Sequence, residues 1–316
     1  MKRSVVLCAG ILILALIPGF ASAQGWLLPG LPSFGGNGCG SCYGNLGGVT
    51  IGGDVAYVGY PRATKLEFVS QAAGAGMFNW RHGYPVHGIQ LSAMATASPN
   101  DRVTAIARGT WLLPWNGESF ENYDVGAGGV ERKWTSSTQW WTAEGAGAYA
   151  INGLSAVVVG LRYDSFQTSF KDPSDATFAS LSGQEADLQV NLWIPYAGVI
   201  ANQGRVKFGI IGSPWVPGHL KYGQTNSLIF VTNGRLEGSG TVRSGYFLET
   251  WGEFNVNLMG AAAGLFVKYT YVHCRVEDTL NTAFSVFTNT GGLEITFDRP
   301  NWIVGAQAAL NFNSPF

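Results

Sequence analysis

Residues 185–196 alternate without a slip. Ala186, Leu188, Val190, Leu192, Ile194 and Tyr196 take one parity, and Glu185, Asp187, Gln189 and Asn191 take the other. Successive side chains of a strand point to opposite faces, so the pattern predicts a strand with one apolar and one polar surface. Strands of half-wet soluble sheets alternate over about four to eight residues, whereas a membrane-crossing strand needs about 9–11. A run this long fits a barrel wall in a membrane, with the apolar parity toward lipid and the polar parity toward a lumen.

The pattern recurs along the chain. Val55 and Tyr57 oppose Asp54 and Ala56. Ile89, Leu91, Ala93 and Ala95 oppose Gln90, Ser92 and Thr96. Val103, Ala105, Ala107 and Trp111 oppose Thr104, Arg108 and Thr110. Tight turns are expected at 98–101, 152–153, 202–204 and 257–260, where Pro, Asn, Asp and Gly cluster. Between these hairpins lie longer segments at 61–85, 114–137, 171–184 and 212–240, expected as loops. Short turns alternating with long loops suit an outer-membrane barrel, with the turns periplasmic and the loops extracellular. At the C-terminal end, turns at 289–292 and 298–301 give an even strand number. The fold class expected is therefore all-β, a transmembrane up-and-down antiparallel barrel of about twelve strands, within a range of ten to fourteen.

Ahead of the first strand, Lys2 and Arg3 precede a largely apolar run to Phe20, and Ala21-Ser22-Ala23 offers a cleavage site before Gln24. Residues 1–23 read as a secretory signal peptide. Residues 24–48 are rich in Gly and Pro and read as a tail or plug, leaving 49–316 as the barrel. The tail holds Cys39 and Cys42 as CGSCYG. After export a local disulfide is the expected state of that pair; with no second pair nearby, neither a zinc site nor a redox centre is expected.

Composition narrows the class. Charged residues are 12%, aromatics 13%, and glycines number 44 in 316 residues. Low charge with abundant Gly and aromatic residues suits a wall facing lipid. A net charge of −1 provides no basic field for nucleic acid. Aromatics near strand ends, among them Tyr57, Tyr60, Trp111, Trp115, Trp141, Tyr149, Tyr163, Trp193, Tyr196, Trp302 and Phe312, are candidates for interfacial girdles.

The last strand runs NWIVGAQAALNF, with Trp302, Val304, Ala306, Ala308, Leu310 and Phe312 on one parity. With the signal peptide and the strand rhythm, it resembles bacterial outer-membrane β-barrel proteins. Gly305, Leu310, Phe312 and the terminal Phe316 are similar to the C-terminal signal that such proteins show to their assembly machinery. The resemblance implies a place in the cell outer membrane, with membrane lipid and that machinery as partners.

Taking the polar parity as lumen gives Arg108, Glu144, Arg162, Asp164, Glu185, Asp187, Arg205, Lys207, Arg243, Glu249, Glu253 and Lys268 as candidate lumen residues. Trp193 and Trp251 share that parity. Acids and bases interleave, so no ring of one sign marks a strongly selective channel. A catalytic set does not emerge: Ser92 and His87 fall on opposite parities, and Glu249 and Glu253 lie about 13 Å apart along a strand, too far for a glycosidase pair. No cofactor or metal is expected. The leading expectation is a small porin-like channel for ions or small polar solutes, with 212–240 as a folded-in constriction. The alternative is a closed structural or adhesive barrel acting through its extracellular loops.

Overall fold

The computed structural model describes residues 48–312 except 60–63, 73–75, 85–86, 101, 125–128, 175–184, 226–234, 259–260, 279–280 and 283–292. The predicted signal peptide, the Cys39–Cys42 pair, Leu228–Val231 and Phe316 lie outside the described residues. The segments are β1 (Gly48–Gly59), β2 (Thr64–Ala72), β3 (Gly76–Tyr84), β4 (Gly88–Ser98), β5 (Val103–Asp124), β6 (Gly129–Asn152) and β7 (Ser155–Ser174). They continue with β8 (Glu185–Gln203), β9 (Val206–Ser213), β10 (Gly218–Thr225), β11 (Arg235–Leu258), β12 (Ala261–Asp278), β13 (Asn281–Thr282) and β14 (Leu293–Phe312). Every pairing is antiparallel.

Several segments continue one another. β1 and β2 both lie along β14, and β4 and β3 both lie along β5. β9 and β10 follow one another between β8 and β11, and β13 extends β12 beside β11. The fourteen segments of the sheet thus form ten columns among the described residues, and β14 meets β1 to close the ring. The first and last columns end together at Val49 and Phe312, on the rim that also carries the turns at 153–154 and 204–205 and the facing ends of β4 and β5 and of β11 and β12. Gly204 has φ 71°, the left-handed conformation a tight hairpin asks of glycine.

Ten columns is the lower end of the expected range. The C-terminal region is one 20-residue strand, with no turn at 298–301. Pro300 is tolerated there because one flank of its ladder is interrupted. β14 has left β2 at Asp298 and meets β1 only at Trp302. At the seam Gly305 stands opposite Ala56, and a Cβ on it would come within 2.6 Å of the Ala56 Cβ and the Val55 carbonyl. Close backbone approach is a physical reason for glycine at this point.

Much of the expected loop sequence is wall. β2 and β3 pair within 61–85, and β5 and β6 pair as far as Asp124 and Gly129. β10 hydrogen-bonds to β8 on one side and β11 on the other, so Gly218–Thr225 belongs to the wall, joined to β9 by a short irregular link at 214–217; the apolar 228–231 stretch that suggested a constriction lies outside the described residues. Strands of 22 to 24 residues rise about 55–60 Å at the usual tilt, roughly twice an apolar bilayer band.

That excess height explains the outer surface. On the half nearer the short turns, the wall exposes large apolar side chains, including Val159 at 61% and Leu265 at 65%. Above them an aromatic belt runs around the exterior. Trp141 and Tyr163 have ring centroids 5.1 Å apart, Tyr163 and Trp193 4.8 Å, and Tyr269 and Trp302 4.9 Å. Above the belt the two faces exchange character. Leu188, Val190 and Leu192 point into the barrel and are 0% exposed, while Glu185, Gln189 and Trp193 face out. The strand is the one expected from 185–196, but its faces are reversed. Its upper half stands in water, so the polar parity is outside and the apolar parity fills the core.

Leu192→Ala should lower the unfolding free energy of the detergent-folded protein by about 2–5 kcal/mol, and Gln189→Ala should change it by no more than about 0.5 kcal/mol. Urea titrations compare the two; equal losses would contradict the assignment of faces.

Candidate functional site

Side chains from opposite walls meet inside the barrel. Arg299 on β14 and Asp164 on β7 have four columns between them whichever way the ring is followed, yet they form a direct ion pair. Arg299 Nη1 donates to Asp164 Oδ1 at 2.9 Å, Nη2 donates to Oδ2, and Trp140 Nε1 donates to Oδ1 at 3.0 Å. The guanidinium lies over the Trp140 ring at 4.4 Å and the Phe166 ring at 5.4 Å. One step higher, Phe166 meets Phe297 from the same opposite strands, 5.9 Å between centroids. Leu112, Phe170, Leu188, Val190, Leu220, Cys274 and Ile295 complete an apolar layer at that end.

Below this pair sits a larger polar layer. Arg162 on β7 donates from Nη1 to Glu249 on β11 at 2.8 Å and from Nη2 to Glu144 on β6 at 2.7 Å. Tyr196 donates its hydroxyl to the second Glu144 oxygen. Lys268 Nζ lies 3.7 Å from Glu249. Arg108 donates to Asp54 at 2.6 Å, and the Ser92 hydroxyl donates to the other Asp54 oxygen at 2.8 Å. Three cations and three carboxylates therefore balance in one layer. Nearer the short turns, Gln307 Nε2 donates to Glu253 at 3.1 Å and to Asn255 at 2.9 Å. Lys207 stands opposite Glu253 in the ladder, 1% exposed, with no hydrogen-bond partner for its ammonium among the described residues.

Two small cavities border this polar layer. A cavity of about 90 Å³ touches Arg108, Glu144, Tyr196, Glu249, Trp251 and Lys268, and one of about 20 Å³ lies beside Arg108, Thr142, Arg162 and Thr270. A site of about 10–15 Å³ on this measure holds one water. The arrangement can pin the walls together and hold a few waters.

Eight expected lumen residues face inward: Arg108, Glu144, Arg162, Asp164, Lys207, Glu249, Glu253 and Lys268. Four do not. Glu185 points outward, its side chain 63% exposed and 3.6 Å from Lys171, and Asp187 shares its parity. Arg205 sits exposed in the turn after β8. Arg243 falls in a register irregularity between Val242 and Ser244, which turns it to the exterior. Trp193 is exposed in the belt, whereas Trp251 lies inside. Sequence reasoning missed Arg299, assigned to a turn, and Tyr196, assigned to the lipid face. Asp54 carried the polar parity of its strand and could have been found by it.

On the exterior, besides the exposed Lys171–Glu185 pair, a histidine meets a carboxylate. His273 Nδ1 and Asp298 Oδ1 are 2.7 Å apart, Tyr271 donates to the same carboxylate at 2.7 Å, and the imidazole stacks on Tyr246 at 4.9 Å. No serine or threonine hydroxyl is bonded to His273 among the described residues.

No protein-family model matches the chain, and no curated protein matches it. Solved structures do. The outer-membrane protease OmpT from Escherichia coli has a TM-score of 0.54 at 12% identity, over 83% of this chain and 97% of that one. The fold is that of a bacterial outer-membrane β-barrel. OprG from Pseudomonas aeruginosa has a TM-score of 0.37 at 12% identity, over 85% and 98% of the two chains. The translocator domain of NalP from Neisseria meningitidis has a TM-score of 0.37 at 10% identity, over 84% and 88%. At such identity the OmpT likeness is one of fold alone.

Arg299→Met leaves the Asp164 carboxylate buried without its cation and should destabilise the barrel by about 3–5 kcal/mol, while the double variant with Asp164→Leu should recover most of the loss. Denaturation of the three proteins measures it. An Arg299→Met protein as stable as the parent would remove the cross-lumen pair as a structural element.

Proposed function

We propose that this chain is a closed barrel of the outer membrane of a Gram-negative-type bacterium, exported by its signal peptide and inserted by the barrel-assembly machinery. Its role is structural or adhesive and is carried by the exterior and the rim far from the short turns. The observation behind this reading is the Arg299–Asp164 pair between diametrically opposite strands. An ion crossing the lumen would have to part that pair, the Phe166–Phe297 contact above it and the Arg162–Glu249 bridge below. Parting a buried ion pair costs several kcal/mol. Passive diffusion, the leading expectation from sequence, is the weaker reading on this geometry.

The balanced charges support the same view. A diffusion pore keeps hydrated charges along an open path, whereas here each carboxylate of the middle layer is held by a cation or a hydroxyl from another strand. The apolar layer above excludes water as well.

The refolded mature protein, placed in planar bilayers with insertion verified separately, should give no conductance above leak. Uniform, stable current steps from the unmodified protein would overturn the closed reading and restore a pore.

A further inference from the structure

Above the aromatic belt, the outer faces of β6, β7 and β8 carry amides and hydroxyls in register. Gln139 pairs with Gln167, and Gln167 with Gln189, all three exposed on neighbouring strands. Neighbouring strands lie about 4.8 Å apart, so the amides form a row about 10 Å across. One step lower, the Ser165 hydroxyl donates to Asn191 Oδ1 at 2.9 Å. Directly beneath come Trp141, Tyr163 and Trp193 in mutual ring contact on the same three strands.

A wall that only needed hydration would be served by Lys and Glu, and this chain uses them two rows higher, where Lys171 pairs with Glu185 at 3.6 Å. The row itself is uncharged. Carboxamides offer planar donors and acceptors together, which matches sugar hydroxyls that do both. Indole and phenol rings offer apolar faces with a polar edge at the boundary between lipid and water. A phosphate would ask for clustered cations, and two rows above, the Lys171 cation is matched by the Glu185 carboxylate.

Height selects the source of the sugar. From the start of β7 to Tyr163 the wall spans roughly 20–25 Å, the breadth of an apolar bilayer band. The glutamine row lies two steps beyond the belt, level with the first sugars of lipids in the outer leaflet. We propose that the outward face of β6, β7 and β8 just above the belt binds the headgroup saccharide of outer-leaflet glycolipids. The inference rests on the membrane placement proposed above.

The test uses the full-length mature protein folded in detergent, with two probes: lipopolysaccharide carrying its core oligosaccharide, and lipid A without core sugars. Affinity for each is compared between the parent and a Gln139→Ala, Gln167→Ala, Gln189→Ala variant. All three positions are exposed, and an unchanged Tm verifies the fold; Gln167→Ala alone serves if the triple variant does not fold. The parent should prefer the sugar-bearing probe by about tenfold, and the variant should lose most of that preference. Equal affinity of the parent for both probes would overturn the proposal, as would a variant that keeps the preference. Failure of the parent to insert into plain phospholipid vesicles would instead refute the membrane placement, whatever the sugar result.

Discussion

Apart from the register irregularities in β5 and β11, each long strand of this barrel keeps one parity outward, while the medium outside changes from lipid to water at the aromatic belt. The side chains on each parity must therefore change character at that height. Below the belt, Val157, Val159 and Leu161 of β7 face out and Arg162 and Asp164 face in; above it, Gln167 and Lys171 face out and Phe166 and Phe170 face in. The inside is then largely apolar where the outside is polar, and it holds the charged layer, with apolar residues such as Val158 and Ile200 beneath it, where the outside is apolar. A wall with an apolar interior closes on itself as any protein core does.

The polar interior poses a different problem, since a carboxylate or guanidinium away from bulk water is stable only when paired. The barrel solves it by reaching across. Asp164 is met by Arg299 from the far wall, and Glu249 by Arg162 and Lys268 from two other columns. Paired in this way, the charges act as struts that fix the distance between walls. Two cavities of about 90 and 20 Å³ sit against these struts. On the proposed reading, closure is a consequence of satisfying the lumen's own charges.

The fold was largely legible in the sequence because period-two alternation and turn residues report strands directly. The described turns at 153–154 and 204–205, the barrel class and the outward set of the last strand all follow from them. Which parity faces inward does not. Alternation at 185–196 is the same pattern whether the barrel core or the lipid takes Leu188 and Val190. The missing clue lay a few residues on: the polar parity of Glu185, Asp187, Gln189 and Asn191 becomes Trp193, Ala197 and Val199, a change of outer medium written along one strand. Arg299 was hidden by Asp298-Arg299-Pro300-Asn301, whose composition reads as a turn. There the ladder's interrupted flank, a tertiary fact, overrides local propensity. Contacts between opposite walls have no sequence signal at all, because nothing local links position 164 to position 299.

Labelling of single cysteines from the aqueous side tests the exchange of faces most directly. Gln189→Cys and Val190→Cys, each in the membrane-inserted protein with Cys39 and Cys42 replaced by serine, would be exposed to a membrane-impermeant maleimide, with the buried Cys274 as the background. Rapid modification at position 189 and protection at position 190 is the predicted result. Protection at 189 with rapid modification at 190 would place the apolar parity outside and contradict the account.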